Sequence, residues 1–316
     1  MRRGLPWLML VLLAALPAVL TPYTSDLALK IMVLAVFALS LELLVGMTGL
    51  VSLGHAAFLG IGAYTTVLMS PEADAGNAAL LAAASVGTAA AYALAVGALS
   101  LRTRGVYFIM VTLAFAQMAY FVFHDTKLGG GTDGIYLNVR PVLGPLDTDH
   151  KLHLYYVVLA ALALTYGLLA LIRRSRFGHA LADIRDNEQR MRAVGFATYF
   201  YKLAAFTIAG ALAGLAGFLL AAKDGFVNPE LLSWHESGAV LLMIILGGIG
   251  HLRGAVLGAV AFVLLKEFYA TPALVGDLLA EHWQLTLGFT IIAFVALLPR
   301  GLIGLFAARR SQGAPR

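Results

Sequence analysis

The residues of this chain that could carry chemistry are few and lie in three places. The densest is RRSRFGHALADIRDNEQRMRAVGFATYFYK, from Arg173 to Lys202, the one long stretch that is rich in charge and poor in apolar runs. The second place holds single polar groups inside apolar sequence: Glu42, and His55 close to Ser52 and among Gly54, Gly60 and Gly62. The third is a glycine-rich turn, Gly129 to Gly134, in the long polar loop 124–153. What these groups could do is bounded by what is missing. No Gly-Lys pair occurs, so no G-x-x-x-x-G-K-[ST] loop can cradle a nucleotide's phosphates. H-E-x-x-H and G-x-S-x-G are absent and the eight histidines stand singly, leaving no visible metal cluster or activated nucleophile. The absence of cysteine removes disulfides, thiol chemistry and thiolate-bound metals. The chain is therefore read as not an enzyme, with no catalytic residue, no cofactor, no metal and no nucleic-acid partner.

The elements that must position these groups follow from composition. Of the 316 residues, 60% are hydrophobic and only 12% charged, against about a quarter charged in soluble domains. Apolar runs of about 14 to 22 residues span or nearly span a bilayer's hydrocarbon core. They are continuous and do not alternate with period two, which excludes a membrane β-barrel. The fold class is all-α: a polytopic membrane helical bundle of about ten spanning helices, read as a single transmembrane domain over 1–316. The spans are expected at 7–20, 27–45, 50–69, 78–99, 106–123, 154–172, 203–222, 237–249, 255–269 and 283–298. The first follows Arg2 and Arg3 and is read as an uncleaved helix, because Leu16-Pro17-Ala18 offers no clean small-x-small cleavage site.

Charge sets the orientation. With the N-terminus inside, sixteen of the 22 Lys and Arg residues fall on the inner face and six on the outer, the asymmetry of cytoplasmic loops. Both termini and the stretch 173–202 are thus expected in the cytoplasm, and loop 124–153 outside. Within the charged stretch, Leu181, Ile184, Met191 and Val194 fall on one side of a helix running from Phe177 to Gly195. Asp183, Arg185, Asp186, Glu188, Arg190 and Arg192 cover most of the remainder, and Gly178 and Gly195 bracket the run. Two readings stand: a solvated loop whose charges set topology, or an amphipathic helix whose apolar stripe docks in a partner's groove.

An isolated charge within a span is costly, so Glu42 and His55 should face protein, water or each other. Glu42 either reaches a polar partner near the inner boundary or lines a pathway. His55, beside Ser52, is read first as a histidine hydrogen-bonded within a packed helix pair and second as a substrate contact. Thr112 and Gln117 are helix-packing groups by default and the remaining pathway candidates. Gly210-x-x-x-Gly214 and Gly250-x-x-x-Gly254-x-x-x-Gly258 are read as helix-packing seams. Gly130, Gly131, Thr132, Asp133 and Gly134 are read as a turn or an outer docking surface.

Five segments carry a family resemblance: Val45 to Tyr64, Arg104 to Met118, Gly130 to Gly134, Arg176 to Glu188 with Ala193-Val-Gly195, and Leu246 to Gly250. In that order, and over about Ala35 to Phe306, the chain resembles the LivM-type permease of branched-chain amino-acid importers of the ATP-binding-cassette class. The resemblance implies that Phe177 to Gly195 is the coupling loop that meets an ATPase, although Ala180-Leu-Ala182 stands where a Glu-Ala-Ala start is common. It also implies a second permease subunit, two cytoplasmic ATPase subunits, an external (periplasmic) substrate-binding protein, and residence in a bacterial inner membrane. Separate ATPases would explain the missing phosphate loop. A permease of the same family for urea or short amides, or a single-chain ion-coupled transporter with Glu42 and His55 as a proton relay, are the rival readings.

Overall fold

Helices account for nearly all the ordered structure, because in hydrocarbon each backbone N–H and C=O must be satisfied within its own segment. The computed structural model describes residues 13, 16–18, 21–71, 74–143, 146–147, 150–272, 276–277, 281–298 and 301–304. Helix α1 (Pro22–Glu42) starts with Thr21 as N-cap and proline in its first turn, and continues directly into a π-helical turn, Leu43–Thr48. Then follow α2 (His55–Met69), α3 (Ala78–Ser100), α4 (Val106–Asp125) and α5 (Lys151–Arg174). The charged stretch forms α6 (Arg176–Asp186) and α7 (Glu188–Ala193). The chain continues through α8 (Thr198–Asp224), α9 (Trp234–Gly247), α10 (Leu252–Ala270) and α11 (Trp283–Leu297).

Among the described residues, six helices are long and apolar enough to cross a membrane, or seven if the α9–α10 pair counts as one span. The protein is thus a multi-pass helical membrane protein, with fewer full-length spans than the apolar runs led one to expect. Two local causes account for part of the difference, and one expected span is not described. The run at 50–69 is helical only over His55–Met69, about 22 Å at 1.5 Å per residue and short of the ~30 Å core. The runs at 237–249 and 255–269 belong to α9 and α10, which meet at a 115° bend as a broken span or re-entrant loop. The expected first span, 7–20, lies almost wholly outside the described residues.

Helices α1 and α8 form the axis of the bundle. Their most apolar stretches are 78% and 67% buried, whereas those of α3 and α4 are only 28% and 22% buried and form the periphery. A helix apolar all round is expected at such an axis. Small residues let the backbones close up. A Cβ at Gly210 would stand 2.3 Å from the Ala93 Cβ, and one at Gly214 2.4 Å from the Ala89 Cβ, so α8 lies directly on α3. On another face of α8, a Cβ at Gly217 would stand 2.0 Å from the Leu59 carbonyl of α2. Hydroxyl pairs join α2 to α3, with Thr66–Ser85 at 2.9 Å and Thr65–Thr88 at 2.8 Å. The seam expected over Gly250, Gly254 and Gly258 holds only in part. Gly254 faces the carbonyl of Gly248, which ends α9, and Gly258 that of Met243 within α9, while Gly250 (φ +87°) sits in the turn before α10, where a Cβ would meet nothing within 4 Å.

Loop 124–153 is more structured than its polarity suggested. Strand β1 (Ile135–Tyr136) pairs antiparallel with β4 (Phe226–Val227), tying the loop to the end of α8. Two further strands, β2 (Val142–Leu143) and β3 (Leu146–Asp147), form a small hairpin.

Candidate functional site

The charged stretch folds as two helices, not as the single one its spacing suggested. Ser175 caps α6 by accepting from the Gly178 N–H (3.2 Å). Asn187 ends α6 in an extended conformation and caps α7, accepting from the Arg190 N–H (2.9 Å). The signal was present in the sequence: an asparagine followed by Glu188 is an N-cap with an acid in the first turn. The break divides the apolar stripe. Leu181 and Ile184 are buried together with Gly178 and Ala180, Met191 is half-buried, and Val194 is 70% exposed. Gly178 is not a turn residue; it lies within α6, where a Cβ would stand 2.1 Å from the Ile172 carbonyl at the end of α5. Gly195 does adopt a left-handed turn, at φ +94°. Phe177 stacks on Tyr201 (centroids 5.6 Å apart), fastening α6 to α8.

Glu188 fastens α7. Its Oε1 accepts from Arg192 Nη2 at 2.6 Å, Lys202 Nζ at 2.9 Å and Thr198 Oγ1 at 3.1 Å. Burial acts to raise its pKa, but the hydrogen bonds and charge from Lys202, with Arg192 and Thr198, outweigh it and hold the carboxyl below its ordinary value. A depressed carboxyl pKa contributes stability above the unfolded value, lost as pH falls through the folded one. Glu188→Gln should therefore destabilise the protein by about 1–2 kcal/mol at neutral pH. The gap between variant and parent in pH-resolved melting should close once pH drops below the usual carboxylate range. A gap unchanged down to strong acid would show that the charge is not what matters.

On its inner side the stretch grips the end of α1. Arg185 Nη1 donates to the Gly46 carbonyl within the π-helical turn, and its side chain packs at Gly49, which is left-handed at φ +72°. Asp183, Asp186 and Arg190 are solvent-exposed, and Arg185 keeps part of its side chain in solvent. Together with Val194 and Phe196 they give the unit a charged outer face with an apolar spot. The arrangement suits holding position and transmitting movement.

The polar groups in the spans sit inside the bundle. Glu42 is 2% exposed and faces the backbone N–H groups of Gly250 and His251 at the α9–α10 break. His55 opens α2, where its Nε2 lies 2.8 Å from Ser40 Oγ and its ring stacks on Phe37. Glu42 and His55 share no partner among the described residues. Ser52 accepts from the Gly54 N–H (3.2 Å), and a Cβ at Gly54 would stand 2.2 Å from the Thr112 carbonyl, which places Ser52 and Thr112 in a packing joint between α2 and α4. Ser237 of α9, which no motif singles out, caps the same joint by accepting from the Ala56 N–H at 2.9 Å. Gln117 alone of these groups is part-exposed, on a shallow groove of α4 lined by Ala114, Met118, Phe121, Val122 and Thr126.

At the opposite loop, Gly130, Gly131 and Gly134 have positive φ (+70°, +65° and +71°), and Gly134 packs on the Val227 carbonyl of β4. Thr132 and Asp133 stand exposed at the tip.

Comparison with known proteins shows the family. Residues 23–296 match the family described as the branched-chain amino acid transport system permease component. The chain is 33% identical to the high-affinity branched-chain amino acid transport system permease protein LivM of Escherichia coli K12, over 93% of its own length and 73% of the relative's. It is 25% identical to LivH of the same organism, over 85% of this chain and 91% of that one. A shorter stretch, 28% of the chain, is 37% identical to the autoinducer 2 import system permease protein LsrC of Klebsiella pneumoniae. No solved structure gives a significant match. A multi-pass helical bundle, a match over 23–296 and 33% identity over nearly the whole chain lead to one conclusion: the chain belongs to the family of branched-chain amino acid transport system permease components.

Proposed function

We propose that this chain is one of two permease subunits of an ATP-binding-cassette importer in a bacterial inner membrane, and that it forms half of the path for branched-chain or related amino acids. In this reading 173–202 lies in the cytoplasm, where α6 and α7 receive an ATPase subunit. Loop 124–153 lies outside, where Gly130 to Gly134 meet the substrate-binding protein. The observation that carries the reading is the placement of α6 and α7. Leu181 and Ile184 are sunk into the bundle and Arg185 holds the end of its most buried helix, while Val194 and the charges around it face outward. A unit that is rigid on one side and open on the other converts a partner's movement into a tilt of α1. Branched-chain cargo is supported by the identity to LivM over 93% of the chain.

The test is reconstitution in liposomes with the second permease, both ATPases and the binding protein. Leucine uptake should require ATP and every component, and isoleucine and valine, but not urea, should compete for it. Leucine uptake by this chain alone, driven by a proton gradient and indifferent to ATP, would overturn the proposal.

A further inference from the structure

Glu42 is a buried carboxylate that its surroundings satisfy only in part. Its side chain curls over Gly46: a Cβ there would stand 2.1 Å from Glu42 Oε1 and 3.1 Å from the Gly250 backbone nitrogen. Only glycine at position 46 leaves room for the carboxylate to reach the amides of Gly250 and His251 at the start of α10. A helix N-terminus presents free N–H groups and a partial positive charge, so these amides suit an anion. The other oxygen, Oε2, has no hydrogen-bond partner among the described residues. Such an orphan in a 2%-exposed carboxylate calls for a reason.

Three further features meet here. The residues after Glu42, Leu43–Thr48, form a π-helical turn, a geometry that concentrates at functional positions. The Gly46 carbonyl, one turn beyond Glu42, is held by Arg185 from the charged stretch. Arg173 and Arg185 are the cations whose charge reaches the Glu42 carboxylate. One side chain of α6 and the break between α9 and α10 thus meet on the same turn of α1.

We propose that Glu42 is a positioning residue that couples the charged stretch to the α9–α10 break: here its carboxylate faces the Gly250 and His251 amides, and when α6 moves, its Oε2 receives the Arg185 guanidinium in exchange for the Gly46 carbonyl. The two states differ in which groups share the carboxylate, so a push on α6 changes the hold on the break, and the 115° bend between α9 and α10 opens or closes with it. This inference rests on the importer reading for its driving force. The contacts themselves lie within one chain.

The test uses the full importer in liposomes with Glu42→Gln, Arg185→Gln and the double variant, reading leucine imported per ATP hydrolysed. Glu42→Gln keeps an oxygen for the amides and loses the charge that Arg185 would seek. It should leave assembly and ATP hydrolysis intact and lower import per ATP about tenfold, within the usual span of coupling between sites. The double variant should be no worse than either single one, because both remove the same contact. A second measurement needs no transport: hydrogen exchange at residues 249–252 should slow severalfold in Arg185→Gln, although Arg185 does not touch them, because the variant lacks the guanidinium that competes with those amides for Glu42. Unchanged import per ATP in Glu42→Gln, multiplying losses in the double variant, or exchange unaltered by Arg185→Gln would each overturn the proposal. So would loss of assembly with normal import per assembled complex, the signature of a merely structural role. If the unaltered complex imports without ATP, the importer reading fails by itself, and the exchange measurement then decides the coupling alone.

Discussion

Val194→Asp should leave the protein folded in the membrane and weaken its hold on the proposed ATPase partner by about 30-fold or more, the loss typical of a central interface anchor replaced by a charge. Position 194 suits this test because the side chain is 70% exposed and follows α7 directly, so a substitution meets few neighbours. Exposed substitutions away from structural features usually shift stability by less than about 0.5 kcal/mol. In a docked complex the same valine would be desolvated, and a carboxylate there would be buried unpaired. Co-purification with the ATPase and uptake should fall together while melting of the isolated protein stays unchanged. Full retention of the ATPase would remove α7 from the docking surface. The neighbouring charges need separate handling. Asp183 is solvent-exposed, whereas Arg185 is committed to the Gly46 carbonyl. Reversing Asp183 therefore tests the surface, while altering Arg185 tests the link to α1.

Gly217→Val should destabilise the protein by about 3 kcal/mol or more, at the upper end for overpacking a filled interior. The new Cβ would stand 2.0 Å from the Leu59 carbonyl and 2.7 Å from the Ala63 backbone nitrogen. Both neighbours are backbone of α2, so relief requires α2 and α8 to separate along their whole contact. Gly167 in the middle of α5 is the matching control, since nothing lies within 4 Å of its Cβ position. Alanine there should be neutral or stabilise by up to about 1 kcal/mol through helix propensity. Thermal or denaturant unfolding in detergent separates the two. Equal effects at 217 and 167 would mean that helix propensity, and not the α2–α8 seam, sets the response.

Long continuous apolar runs make the all-α membrane class legible in the sequence, and the ends of α3 and α5 fall within a few residues of the runs that signal them. The family is legible because its motifs are spread in order along the chain. Less legible are the places where helices stop. Val51 to Gly54 belong to an apolar run yet lie outside any helix, because Gly54 is pressed on the Thr112 carbonyl and Ser237 takes the Ala56 amide that a preceding turn would shape. The α6–α7 break at Asn187 is encoded in its cap, but a hydrophobic stripe with helical spacing masks it.

What the sequence by itself determined is what depends on sums over many residues: the apolar, multi-pass character, the helical class, and the charged stretch as the one long run poor in apolar residues. Each rests on composition or on local periodicity, which add up whatever the rest of the chain does. Only the tertiary structure decided where Glu42 spends its charge, that Arg185 turns inward to Gly46 while Val194 turns outward, and that α9 and α10 meet at a 115° bend. Those outcomes depend on single close approaches between residues far apart in the chain, where one missing Cβ or one unpaired amide sets the geometry, and no local average registers them.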